Sequence, residues 1–227
     1  MSGGKKRIVL VSGSPKVDQS QAVSALLVKR GEAQIQDERL DVQTIPVRHV
    51  MMHRKTEHAF RQLLEADAIV FIFPLYFFCL PAMLTRFLQD FAAAYPRAEK
   101  NANVYAMINC GFPEAEASSE AIRVVEQFAK KTGRTFRGGL LIGCGGMMLG
   151  TQGAPFLRSL FEQVDGLFQR IKDDQLHEEA QPPRIELTAA KFPRTLYYMA
   201  GNAGWKSTAR KNRIKIKDLY RKPYSAQ

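Results

Sequence analysis

Short apolar runs and longer amphipathic stretches take turns along the chain. Residues 7–12, 40–47, 68–73, 103–109 and 136–143 are brief and bounded by Gly, Pro or Asn, which predicts five strands. The run 68–73 is apolar throughout and reads as a fully buried strand, whereas Leu40, Val42 and Thr44 alternate in character, as expected near a sheet edge. Between the runs, apolar residues recur at helical spacing. Ser20 is placed to cap a helix that opens at Gln21 and carries Val23, Leu26 and Leu27 inward. A second helix, 54–65, turns in Phe60, Leu63 and Leu64, and a third starts at Pro81 with Leu84, Phe87, Leu88 and Phe91 on one side. A fourth, starting at Glu114 or Ser118 and ending at Lys131, carries Ala121, Ile122, Val125, Phe128 and Ala129, with Gly133 as its C-terminal glycine. The fifth, 156–171, repeats Leu157, Leu160, Phe161, Val164, Leu167, Phe168 and Ile171.

Five strand–helix alternations predict an α/β fold: a five-stranded parallel sheet with helices on both faces, joined by right-handed crossovers. The pattern breaks at Gln181-Pro182-Pro183, so residues 1–180 read as the domain and 181–227 as a basic, aromatic C-terminal extension with a short helix within 192–205.

Charge sharpens that division. The chain of 227 residues carries a net +11. Eleven Lys or Arg lie between Arg184 and Gln227 against Glu186 and Asp218, so the extension holds +9 and the rest about +2. At 45% hydrophobic the chain has ample material for a core, and no run approaches transmembrane length. The N-terminal apolar run, Ile8 to Val11, is too short for a signal peptide and reads as the first strand of a cytoplasmic protein. Cys79, Cys110 and Cys144 are odd in number and widely spaced, which fits neither a disulfide framework nor a metal site. His49, His53 and His58 lack a completing carboxylate and stand beside Arg48, Arg54 and Lys55; they read as a solvated basic connector, and no metal site is expected.

Chemistry is expected where strands end. The first strand runs into Ser12-Gly13-Ser14-Pro15-Lys16 and then Ser20, a hydroxyl-rich loop before a helix N-terminus. Backbone N–H groups and the positive end of the helix dipole there suit an anion. Taken alone, this loop is equally readable as an ordinary turn, and it has neither the P-loop lysine spacing nor the G-x-G-x-x-G pattern. The third strand ends in Pro74-Leu75-Tyr76-Phe77-Phe78, unusually apolar for a turn, and the fourth in Asn109-Cys110-Gly111-Phe112-Pro113. In a parallel sheet the three loops emerge at one edge, the place where open α/β sheets bind ligands. A phosphate joined to a planar, partly polar ring would satisfy all three.

Gly-Ser-Pro-Lys…Ser after the first strand and Phe-Pro-Leu-Tyr-Phe…Leu-Pro-Ala after the third resemble the flavodoxin-like NAD(P)H-dependent FMN reductase and quinone reductase families, over roughly residues 7–175. The resemblance implies strand order 2-1-3-4-5 and bound FMN, with NADPH or NADH as co-substrate. Ser12, Ser14, Lys16, Ser20 and Gln21 would surround the phosphate. Pro74, Leu75, Tyr76, Phe77 and Phe78 would border the isoalloxazine, and Asn109, Gly111 and Phe112 would close its other side. It further implies hydride transfer to a quinone, nitro- or azo-aromatic or flavin acceptor, with the protein supplying position and electrostatics. Tyr76 is the one candidate catalytic side chain, and a homodimer is implied. Two departures stand out: no clustered cysteine motif for an iron–sulfur centre, and Gln21 where relatives often carry a small hydroxyl residue. The rival reading is a non-enzymatic flavodoxin-type electron carrier, which the near-neutral core and basic tail disfavour. For the extension, contact with nucleic acid or a membrane surface competes with an arm wrapping its own or a partner subunit, and with attraction of the nicotinamide cofactor's phosphates.

Overall fold

The computed structural model describes residues 4–97, 99–177 and 182–221. The expected break at Gln181, the boundary at 180/181, and Lys222 and Tyr224 of the tail lie outside the described residues. Six strands, β1 (Lys6–Ser12), β2 (Leu40–Pro46), β3 (Ala68–Pro74), β4 (Asn103–Asn109), β5 (Thr135–Gly143) and β6 (Arg184–Ala189), pair in parallel in the order 2-1-3-4-5-6. The helices are α1 (Val23–Gln34), α2 (Val47–Met52), α3 (Thr56–Glu65), α4 (Ala82–Ala94), α5 (Ser119–Lys131), α6 (Arg158–Leu176) and α7 (Arg194–Lys211).

Alternation along the central strands divides the core between two faces. Val9, Val11, Ile69, Phe71, Phe73, Val104, Ala106 and Ile108 pack with the apolar stripes of α3, α4 and α5. On the opposite face α1 and α6 meet each other. Gly31 of α1 lies so close to Phe168 of α6 that a Cβ there would stand 2.7 Å from the ring. The result is a three-layer α/β/α arrangement.

The expectation of five strands is corrected by β6, which comes from the segment assigned to the extension. Its sequence, Arg184-Ile185-Glu186-Leu187-Thr188-Ala189, does alternate, but the surrounding positive charge obscured it. Arg170 and Arg184 pair with Glu186 at 3.5 and 3.2 Å, and β5 admits the new strand through Gly138. That residue has φ +97°, beside the bulge opposite Val104 and Tyr105, and a Cβ on it would stand 1.9 Å from the Arg184 carbonyl oxygen. Only glycine permits the pairing there.

Two further expectations change. The segment read as a solvated connector forms α2, because Val47 and Val50 are buried. The cap near α1 is Asp18, whose carboxylate accepts from the Ser20 N–H, with a 3-10 turn over Gln19–Gln21 preceding α1. The chain divides into two compact units, 1–190 and 191–227. In the second, α7 runs 18 residues where a short helix was expected, and is followed by a 3-10 turn over Ile216–Tyr220. Among the described residues no helix is long and apolar enough to cross a membrane.

Candidate functional site

Backbone hydrogen bonds knit the strand-end loops into one surface. Gly13 donates to Ile72 O at 2.9 Å, Leu75 to Asn109 O at 2.8 Å, and Cys110 to Ile142 O at 2.8 Å, carrying the ladder past the ends of β1, β3 and β4. Gly13 has no room for a side chain: a Cβ would meet Phe73 and Leu84 at 2.7 Å each, so the first loop passes directly against β3 and α4. The Gly-rich segment after β5 approaches as closely, with Cys144 N–H donating to Phe112 O at 2.7 Å and Gly145 N–H to Cys110 O at 2.8 Å.

The second loop is a tight turn. Tyr76 and Cys79 exchange backbone hydrogen bonds of 2.9 Å in both directions, and the residues between them, Phe77 and Phe78, sit at φ 48° and 61°. Paired left-handed conformations are the geometry of a type I′ turn, a place for Asn or Gly, and two aromatics there are strained. The turn holds Phe77 98% exposed. Phe78 instead stacks on Phe112 of the third loop, with centroids 5.8 Å apart and planes 8° apart. An open groove of about 650 Å³, mostly apolar, runs from Pro15 past Tyr76 and Phe77 to Pro81 and Met83 at the start of α4. Pro74 and Leu75 are half-buried beneath this shelf, and the Tyr76 side chain is partly exposed on it.

Buried polar groups mark the ends of β1 and β4. Ser12 and Ser14 are 7% and 4% exposed, and Asn109 is 7% exposed with no partner for its Oδ1 among the described residues. Gly111 is exposed, and nothing lies within 4 Å of a Cβ placed on it. Burial pushes the Cys110 thiol up, with Sγ facing the Phe112 and Glu114 carbonyls at 3.5 and 3.6 Å.

The predicted phosphate residues fall into two groups. Ser12, Ser14 and Lys16 line a cleft, while Ser20 and Gln21 lie outside it and turn toward Asp18. Asp18 Oδ1 accepts from the Ser20 N–H and hydroxyl at 2.9 and 2.6 Å, and Oδ2 from Gln21 Nε2 at 3.0 Å. The Ser20 hydroxyl bond above all holds that carboxyl below the ordinary carboxylate range. Lys16 Nζ donates to Gln21 O at 2.6 Å. Sequence reasoning missed Asp18, and also Arg48, His49 and His53, which form another wall of the cleft. His58 does not line it, and among the described residues no cluster is suited to a metal ion.

These elements bear comparison with known proteins. The flavodoxin-like fold family matches residues 6–133, more than half of the chain. The chain belongs to that family. Among solved structures, this flavodoxin-like chain is similar to an NADH:FMN oxidoreductase in its apo form, with a TM-score of 0.59 at 16% identity, covering 80% of this chain and 95% of that one. An NADPH-quinone reductase from P. pentosaceus gives 0.53 at 16% identity, over 74% and 97% of the two chains. An FMN-dependent NADH-azoreductase from Bacillus anthracis, in complex with FMN, gives 0.53 at 11% identity, over 74% and 99%. At such identities the likeness is one of fold. No curated protein sequence matches the chain.

Proposed function

We propose that the protein is an FMN-dependent NAD(P)H oxidoreductase. The observation that carries this reading is the joining of three strand-end loops into one surface, with buried serine hydroxyls at one end, an aromatic shelf in the middle and an unsatisfied buried amide oxygen at the other. FMN fits that donor set. Its phosphate needs hydroxyl donors and positive charge, which Ser12, Ser14 and Lys16 supply. Its ring system needs a flat apolar bed, and its pyrimidine edge carries an N–H for the Asn109 Oδ1 that has no partner among the described residues. The NADH:FMN oxidoreductase, the NADPH-quinone reductase and the FMN-dependent NADH-azoreductase that share the fold support the same reading.

Bound there, FMN would supply the hydride and electron chemistry between NAD(P)H and a quinone, azo- or nitro-aromatic or flavin acceptor. The chain's own contribution is position and charge. Pro74 to Phe78 would form the bed of the ring, and Phe112, already stacked on Phe78, would extend it sideways. Two stacked gaps of about 3.5–4.0 Å would be needed for a ring between them, more than the 5.8 Å present, so the pair forms one wall. With no side chain at Gly111, the loop after β4 could come close to the ring, where its backbone N–H groups would meet developing negative charge. Tyr76, partly exposed at the mouth of the groove, would present its hydroxyl to the acceptor. Ser20 and Gln21, bonded to Asp18, would stand outside the phosphate's shell.

The test is direct. Purified protein should be yellow, or become so with added FMN, and should oxidise NADH or NADPH faster with a quinone or azo dye than without. A colourless protein that takes up no FMN sinks the reading; bound FMN without such turnover would favour an electron carrier.

A further inference from the structure

A polar cleft of about 180 Å³ opens beside the first loop, lined by Ser12, Ser14, Lys16, Arg48, His49 and His53 together with Val17, Gln19 and Pro46. That is room for roughly six waters at ~30 Å³ each, enough for a phosphoryl group. Among the described residues no carboxylate lines it. The cleft exists because β2 pairs with β1 up to Ser12 and Pro46, so both strands deliver their next residues to the same place. Arg48 is tied into position by its Nε, which donates to Pro15 O at 3.1 Å. That leaves its terminal nitrogens without a bond, and the half-buried guanidinium without an ion pair, among the described residues. The His49 and His53 rings lie 4.3 Å apart, the first on α2 and the second at its C-cap, and either tautomer of each carries an N–H. Ser12 and Ser14 are more than nine-tenths buried. Among the described residues the Ser12 hydroxyl has no partner, and Ser14 Oγ only accepts, from the Lys16 N–H at 3.3 Å.

On the α1 side of the same loop the donors are already engaged, since Ser20 and Gln21 both bond to Asp18. An arriving phosphate would there meet a carboxylate. Lys16 is close enough to Asp18 to help hold it ionised, which leaves Arg48 as the cleft's one cation whose charge no described carboxylate offsets.

We infer that this cleft is the receptor for a ligand phosphoryl group, with Arg48 as its principal charged donor and His49 and His53 as a second wall, in place of the donors that Asp18 occupies. The site rests on the geometry above. Naming its ligand as the phosphate of FMN rests on the flavin reading, and the 2′-phosphate of NADPH is the other source with the same chemistry.

The experiment titrates the full chain, stripped of bound flavin, with FMN and with riboflavin, following flavin fluorescence. Arg48→Gln should weaken FMN roughly ten- to a hundredfold, as expected for a charge-assisted phosphate contact, and leave riboflavin unchanged. Arg48→Lys should recover part of the loss, Ser20→Ala should lose less than about threefold, and the pair His49→Gln and His53→Gln should lose an intermediate amount. Unchanged FMN affinity together with a raised KM for NADPH, but not NADH, in Arg48→Gln would assign the site to the nicotinamide nucleotide. Equal weakening of FMN and riboflavin, or no change in either FMN affinity or NADPH KM, overturns the proposal. Should the wild type bind neither flavin, the flavin reading fails and inorganic phosphate decides the cleft by phosphorus NMR. Line broadening by wild type that Arg48→Gln abolishes keeps the site, and no broadening by wild type removes it.

Discussion

Phe78 and Phe112 lie face to face, 5.8 Å between centroids and 8° between planes, although 34 positions separate them in sequence. Their stack joins the loop after β3 to the loop after β4 and makes one surface of two.

Breaking that stack should be felt in ligand binding more than in stability. Both rings are about half exposed, so a double-mutant cycle of Phe78→Ala and Phe112→Ala should give a coupling near the lower end of ~0.5–1.5 kcal/mol. In flavin titrations each single change should weaken FMN and riboflavin equally, because the lost contact is with the ring.

Phe77 offers the opposite trade. At φ 48° and 98% exposed, it contributes strain and almost no packing. Phe77→Asn should raise stability by ~0.5–1 kcal/mol, or about 2 °C in Tm by calorimetry, since Asn tolerates the left-handed region. A simultaneous fall in flavin or acceptor affinity would show that the aromatic is kept for binding at the expense of the turn.

Truncation distinguishes the sheet from the C-terminal unit. A chain ending at Ala190 should keep its cooperative melt, because β6 is retained and residues 1–190 form their own compact unit. A chain ending at Pro183 should melt lower and aggregate on gel filtration, since loss of Arg184–Ala189 uncovers the edge of β5.

The cysteines should react unequally. Cys110 and Cys144 are buried, and burial raises both thiols above the ordinary value of 9.0. Brief alkylation at neutral pH, read by mass spectrometry, should label Cys79 and spare the other two until the protein unfolds. The same shifts set the sign of a pH effect on stability. With folded values above unfolded ones, the two thiols' contribution is fully present below about pH 9 and is lost as pH rises through the folded values, so Tm should fall there in wild type and less in Cys110→Ala.

Much of the fold was legible because its determinants are local. The buried run 68–73, the helical stripe from Leu84 to Phe91 and the glycine at 133, found at φ 70°, each announce an element without reference to the rest of the chain. The three strand-end loops were legible for the same reason: strand ends fall at Ser12, Pro74 and Asn109, and a parallel sheet brings them to one edge. Sequence pattern therefore determined the α/β class, five of the six described strands and the edge where a site would lie.

Tertiary structure decided the rest. β6 alternates as a strand should, yet only the gap left by Gly138 makes it part of the sheet and not a charged linker. His49 and His53 read as solvated and are exposed; that they line one cleft with Ser12 and Ser14, more than 30 positions away, follows only from the pairing of β1 with β2. Asp18 could have been any polar loop residue until its carboxylate was seen holding Ser20 and Gln21. Periodicity along a chain records which face a residue turns inward. Which residues face one another across a cleft depends on register between strands, and that is set only when the sheet is assembled.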